Sequence, residues 1–169
     1  YMDYAATTPL DERVLEAMKP YFSERYGNAS SIHAYGLEAR KALEDSRHAI
    51  ADLINARDEE IIFTGSGSES DNLAIKGVAF ANRSRGRHIV TSSIEHDAVL
   101  EPCKWLRGQG FEVTVVPVDR YGLVDVAEVE NAIRKDTILV SIMHANNEIG
   151  TIEPISEIGK ICHEHDVYF

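Results

Sequence analysis

Short apolar segments alternate with amphipathic stretches along most of the chain, and this alternation limits the available folds more than any other feature. Residues 61–64, 88–92, 112–117 and 138–144 read as strands, and Val167, Tyr168 and Phe169 begin another. Between them, residues 69–83, 98–109, 126–135 and 156–165 carry apolar side chains at helical spacing. Strands joined through helices run parallel, and a parallel sheet has both faces covered. The expected fold class is therefore α/β, a mainly parallel sheet flanked by helices. Upstream, Asp11 suits the N-cap of a helix in which Val14, Leu15, Met18 and Phe22 recur until Gly27 and Asn28 break the pattern. A second helix is expected over 34–55, with Leu37, Leu43, Ile50, Leu53 and Ile54 as its apolar stripe.

Ligands of such sheets bind outside the carboxyl ends of the strands. Three polar clusters fall there: Thr64-Gly65-Ser66-Gly67-Ser68, Ser93-Ile94-Glu95-His96-Asp97, and His144-Ala145-Asn146-Asn147-Glu148-Ile149-Gly150. The first outlines a phosphate cradle. Glycines admit an anion close to backbone N–H groups, Ser66 and Ser68 add hydroxyl donors, and the positive end of the next helix favours negative charge. Taken singly, each cluster has a plainer reading: a tight strand-to-helix turn, a histidine in a loop or at a helix start, and asparagines in a turn. Their arrival at one edge of one sheet favours a site. The loop is not GxxxxGK[ST], because the nearest lysine is Lys76, and the third glycine of G-x-G-x-x-G is replaced by Ser70. A P-loop NTPase is not expected, and a Rossmann dehydrogenase is a weak second choice.

Composition narrows the partners. The 169 residues are 44% hydrophobic, enough for one soluble domain with a real core, and 17 basic against 28 acidic residues give a net charge of −11. Such a balance opposes attraction to nucleic acid or an anionic membrane, so any phosphate must be caught locally. No segment approaches the roughly 20 apolar residues that span a bilayer, and the expected location is cytoplasmic. Cys103 and Cys162 are far apart and outside CxxC spacing, so packed free thiols are expected rather than a disulfide or a metal site.

Five ordered motifs carry a specific resemblance. Residues 1–9 (YMDYAATTP), 26–33 (YGNASSIH), the glycine loop with Glu69-Ser70-Asp71-Asn72-Leu73-Ala74, the pair Glu95-His96, and residues 144–150 (HANNEIG) occur in the order and spacing of the cysteine desulfurases of the NifS/IscS kind. These are class V aminotransferases that use pyridoxal 5'-phosphate, and the resemblance runs the length of the chain. It implies the large domain of a fold-type I, aspartate aminotransferase-like enzyme, with residues 1–169 as its N-terminal portion and 1–30 as an arm and helix near the active-site mouth. It further implies that Gly67 and Ser68 hold the cofactor phosphate, that His96 stacks on the cofactor ring and moves protons, and that Asn147 hydrogen-bonds near the cofactor's phenolic oxygen and the substrate carboxylate. The implied reaction takes L-cysteine to L-alanine and passes sulfur, as an enzyme persulfide, to an iron–sulfur scaffold or another acceptor protein. The implied assembly is a homodimer.

The usual loop of that family reads T-S-G-A-T-E, whereas this chain has Thr64-Gly65-Ser66-Gly67-Ser68-Glu69. Small residues and a hydroxyl survive where phosphate binding needs them. The family's cofactor-pairing aspartate and its neighbouring glutamine are expected beyond Phe169, as are the Schiff-base lysine, the sulfur-carrying loop cysteine and the substrate-gripping arginine. The lysines present, Lys19, Lys41, Lys76, Lys104, Lys135 and Lys160, all read as ordinary helix residues. These residues alone are thus expected to be inactive. Two other readings stay open: a selenocysteine lyase or another class V member, and a non-catalytic half-domain that binds a phosphate ligand or a complementary chain. A nucleotide-binding protein related only by descent is disfavoured, since His96 and Asn147 have no evident task beside a nucleotide phosphate.

Overall fold

Asp11 does cap the first helix, α1 (Glu12–Met18), its carboxylate accepting the Arg13 N–H at 2.8 Å. The helix does not run on to Gly27 as its apolar spacing suggests. It breaks at Lys19 because Pro20 brings no N–H and its ring obstructs the preceding turn, and a single turn, α2 (Pro20–Ser23), follows. The long helix α3 (Ala34–Ile54) ends where Asn55 turns left-handed, at φ 54°, and returns its N–H to the last turn. These elements belong to the first of two units, residues 1–63 and 64–169, and the computed structural model describes every residue of both.

Residues 61–64, expected as a strand, form none. A 3-10 turn (Asp58–Glu60) leads into an extended segment whose Ile62 and Phe63 are exposed. Its apolar character satisfies a strand pattern, but a ladder needs a second strand to take its N–H and C=O groups, and none lies beside it. Instead Arg47 donates to the Ile61 carbonyl and sits 5.0 Å over the Phe63 ring.

The second unit is the α/β part. Strands β1 (His88–Ser92), β2 (Glu112–Val116) and β3 (Thr137–Ser141) form a parallel sheet in the order β2-β1-β3. Four helices surround it: α4 (Gly67–Ala81), α5 (Asp97–Arg107), α6 (Val126–Ala132) and α7 (Ile155–Glu164). Tyr168 bridges Leu139 in parallel, and its carbonyl accepts the Val140 N–H at 2.8 Å, so a further strand does begin beside β3. Central β1 is buried along its whole length, as a run with two covered faces must be.

Alternation along β1 sorts the core into two layers. Ile89 packs with Ile75 and Ala79 of α4 and with Val99, Cys103 and Leu106 of α5. Val90 faces Val129 of α6 and Ile158 and Cys162 of α7. The register slips by one residue between His88 and Ile89 opposite β3, which lets neighbouring Ile138 and Leu139 share the α4/α5 layer. Fully buried Ile89, Leu106, Ile138 and Ile158 contribute about 1.5–3 kcal/mol each, and this rigidity fixes the strand ends from which the polar clusters leave.

Candidate functional site

The glycine loop turns into α4 through its own side chains. Ser66 is the N-cap, its Oγ accepting the Glu69 N–H at 3.2 Å, and Glu69 reaches back to accept the Gly65 N–H at 2.7 Å. This variant of the capping box spends the donors of Gly65 and Glu69. It leaves the N–H groups of Gly67 and Ser68, at the first two positions of a 15-residue helix, without acceptors in the chain. A Cβ built on Gly67 would meet no atom within 4 Å, so the space beside it at the helix end is open. Free N–H groups, a free Ser68 hydroxyl and the positive helix end form a donor set that suits a phosphate.

His96 ends the loop that leaves β1. It is the N-cap of α5, where Nδ1 accepts the Ala98 N–H at 3.0 Å. Ser, Thr, Asp and Asn usually take this position. A backbone N–H can only donate, so Nδ1 of the neutral ring is the acceptor and the proton sits on Nε2.

Beyond β3 the two adjacent asparagines part company. Residues 145–152 close into a short hairpin by a bridge between Ala145 and Ile152, with Gly150 left-handed at φ 75°. Asn146 is buried within it. Its Oδ1 accepts the N–H groups of Glu148 and Ile149 at 2.8 and 3.0 Å, and its Nδ2 donates to the Ile94 carbonyl at 3.0 Å, on the loop that carries His96. Asn147 is exposed and keeps both ends of its amide free of the chain. His96, Asn147, Glu95 and Glu148 line one cavity of about 310 Å³ with Ile94, Asp97, Asn146 and Ile149. Gly67 and Ser68 do not line this cavity, but α4 packs on α5 and β3, and Asp71 of α4 is close enough to act on Glu95.

Buried Glu95 is held above the usual carboxylate range, first by desolvation and further by the like charges of Glu153 and Asp71, against hydrogen bonds from Ser92 and Met143 that favour its ionised form. Glu153 is also buried: Oε2 accepts the Val124 N–H at 3.0 Å while Oε1 has no partner. Cys103 and Cys162 are packed thiols, as expected, and burial pushes both up to about 11. Lys76 lies 4.8 Å over the Trp105 ring, and Lys19, in the turn between α1 and α2, and Lys135, in the turn after α6, are not on helices as expected.

The family model described as Aminotransferase class-V matches residues 1–169, the whole chain. The chain belongs to the class-V aminotransferases. Among its curated class-V relatives, the cysteine desulfurase IscS of Dictyoglomus turgidum is 61% identical over 169 residues, and that of Methanosarcina thermophila is 59% identical over 169 residues. Both alignments take in the whole of this chain, which spans 43% and 42% of the two relatives' lengths. Among solved structures, a NifS-like protein superposes with a TM-score of 0.93 at 44% identity, over 98% of this chain and 46% of that one. SspA in complex with cysteine also gives 0.93, at 46% identity, over 99% of this chain and 49% of that one. The parallel sheet flanked by helices is thus shared with the NifS-like protein.

The sequence singled out Gly67, Ser68, His96 and Asn147, and the structure gathers the last two in one cavity. It did not single out Asn146 or Glu153 as organisers. The spacing from Asn146 to Gly150 is a turn signal that would have pointed to the former; Glu153 carries no local signal.

Proposed function

We propose that these residues are the N-terminal part of a pyridoxal-phosphate-dependent cysteine desulfurase. The observation that carries this reading is the unspent donor set at the start of α4, together with free Asn147 and His96 in one cavity, in a chain whose class-V relatives are named cysteine desulfurases. The Gly67 and Ser68 N–H groups and the Ser68 hydroxyl would hold the cofactor phosphate. When bound, the cofactor supplies an electron sink that weakens bonds at Cα and Cβ of an amino acid.

Two groups of this chain act beside it. Asn147 offers a neutral amide donor that adds no charge. His96 presents its proton at Nε2, because Nδ1 is committed to Ala98, and a proton arriving at Nδ1 has to displace that bond. The sulfur of L-cysteine leaves as its Cβ–S bond breaks and joins an enzyme thiol as a persulfide, while the carbon skeleton departs as L-alanine. Cys103 and Cys162 do not suit that thiol: both are buried on helices with raised pKa values, and a carrier must be accessible and ionised. The carrier cysteine and the lysine that binds the cofactor belong to the part of the longer relatives that this chain does not span. SspA bound to cysteine supports the choice of substrate. An iron–sulfur scaffold or another acceptor protein, a cytoplasmic setting and a homodimeric assembly complete the proposal.

The test is direct. Full-length protein incubated with pyridoxal 5'-phosphate, L-cysteine and a thiol reductant should yield alanine and sulfide in equal amounts. Bound cofactor without alanine formation would refute the assignment, and preference for selenocysteine would redirect it to the lyase.

A further inference from the structure

Two loops build the His96–Asn147 cavity, one leaving β1 and the other β3, and the sheet alone does not fix their separation beyond the last ladder bonds. Glu95 bridges them. It is 7% exposed, and Oε1 accepts two hydrogen bonds: from Ser92 Oγ at 2.6 Å, at the end of its own strand, and from the Met143 N–H at 2.9 Å, just past the end of β3. His96 is the next residue after Glu95, and Asn147 follows Met143 by four. Glu95 also lines the cavity that these two share.

We propose that Glu95 is a positioning residue: its Oε1 bond to the Met143 amide sets the separation of His96 and Asn147. What those groups then accomplish rests on the function proposed above; the positioning itself does not. The bond, rather than the charge, is what the site needs. Burial and the carboxylates of Glu153 and Asp71 already disfavour a negative Glu95, so a neutral side chain with an oxygen in the same place fits as well. A second tie, from Asn146 Nδ2 to the Ile94 carbonyl, keeps the loops together when the first is lost. Losing Glu95's bond should therefore loosen the site without unfolding it.

Glu95→Gln and Glu95→Asp in the full-length holoenzyme separate bond from charge. Glutamine keeps the acceptor oxygen and discards the charge; aspartate keeps the charge and falls one methylene short of Met143. Glu95→Asp should lower kcat for L-cysteine about 10–100-fold, as misplacement near 1 Å does. It should also speed hydrogen exchange of the Met143 amide about tenfold or more and shift the His96 ring signals in NMR spectra. Glu95→Gln should match wild type in all three, with kcat within about threefold. A glutamine variant as impaired as the aspartate variant, or an aspartate variant with wild-type exchange and ring signals, overturns the proposal. If the wild-type protein does not convert cysteine, the functional reading fails by itself, and Met143 exchange with the His96 signals still decides the positioning role.

Discussion

Alanine at Asn146 and at Asn147 should have opposite effects, although the two residues are adjacent and identical. Besides a weak bond from Nδ2 to Met143 Sδ, Asn146 uses three hydrogen bonds to backbone groups, one to the Ile94 carbonyl and two from the Glu148 and Ile149 N–H groups. At about 0.5–1.5 kcal/mol net each, they bound its contribution at about 1.5–4.5 kcal/mol. Glu148 and Ile149 are exposed, so water takes over their N–H groups once the side chain is gone, whereas the Ile94 carbonyl is half-buried. The lower half of the range applies, about 2 kcal/mol, or roughly 4–8 °C in Tm at the sensitivity of a domain of this size. Asn147 makes no hydrogen bond within the chain, and its removal should change stability by less than about 0.5 kcal/mol. Melts of both variants belong in cofactor-free protein, because a bound cofactor adds its own stabilisation. Cofactor retention and turnover are then measured separately, and Asn147→Ala should lose more of both than its stability explains. An Asn147→Ala melt depressed as far as that of Asn146→Ala, or an unchanged melt for Asn146→Ala, would refute the division of roles.

Three further outcomes follow from the same geometry. His96→Ala removes both the imidazole and a helix cap, so Tm should fall by an amount equivalent to about 0.5–2 kcal/mol and turnover by about 10²–10⁴-fold. His96→Asn should restore Tm but not turnover, and an active asparagine variant would sink the proton-transfer role. Gly67→Ala and Ser68→Leu should melt close to wild type without cofactor, since nothing stands within 4 Å of a Cβ at Gly67 and Ser68 is exposed, yet Ser68→Leu should retain less cofactor; unchanged cofactor content would mean that the phosphate sits elsewhere. His88 is fully buried between Thr137 Oγ1 at 2.7 Å and Thr114 Oγ1 at 2.8 Å, and desolvation, then Arg134, lowers its pKa. Its folded-state pKa therefore lies below the unfolded value of about 6.5, so the stability it secures is present above that pH and is lost as pH falls through the window below it. His88→Gln should be less stable at pH 8 but lose less between pH 8 and pH 5, as read from urea midpoints; equal losses would refute the assignment.

How much of this was legible in the sequence depended on whether the deciding interaction was local. β1 was readable because a strand covered on both faces is apolar throughout, and α3 because its stripe persists to a left-handed asparagine. Residues 61–64 have the same apolar look, but no strand lies beside them, and periodicity carries no information about a partner. In the site, the three polar clusters stood out because they follow apolar segments, and the family resemblance picked Gly67, Ser68, His96 and Asn147 within them. Which asparagine was structural depended on Ile94, 52 residues earlier in the chain, and His96's capping bond runs against the usual residue preferences.

Several groups left over after the fold is satisfied are hydrogen-bond donors. The N–H groups of Gly67 and Ser68, the Ser68 hydroxyl, Nε2 of His96 and the Asn147 amide all carry hydrogen-bond donors with no acceptor in the chain. Several acceptors nearby are spent, Glu69 on Gly65, Asn146 Oδ1 on its own hairpin, and Glu95 Oε1 on Ser92 and Met143, whereas the carboxylates of Asp97 and Glu148 stay open on the cavity of His96 and Asn147. A chain of net charge −11 repels anions at long range. It can still hold one where local donors are left over, and the fold leaves them at the start of α4 and around the cavity that receives the carboxyl ends of β1 and β3. A phosphate held at the start of α4 meets that pattern, and a nucleic acid backbone spread over the acidic surface does not.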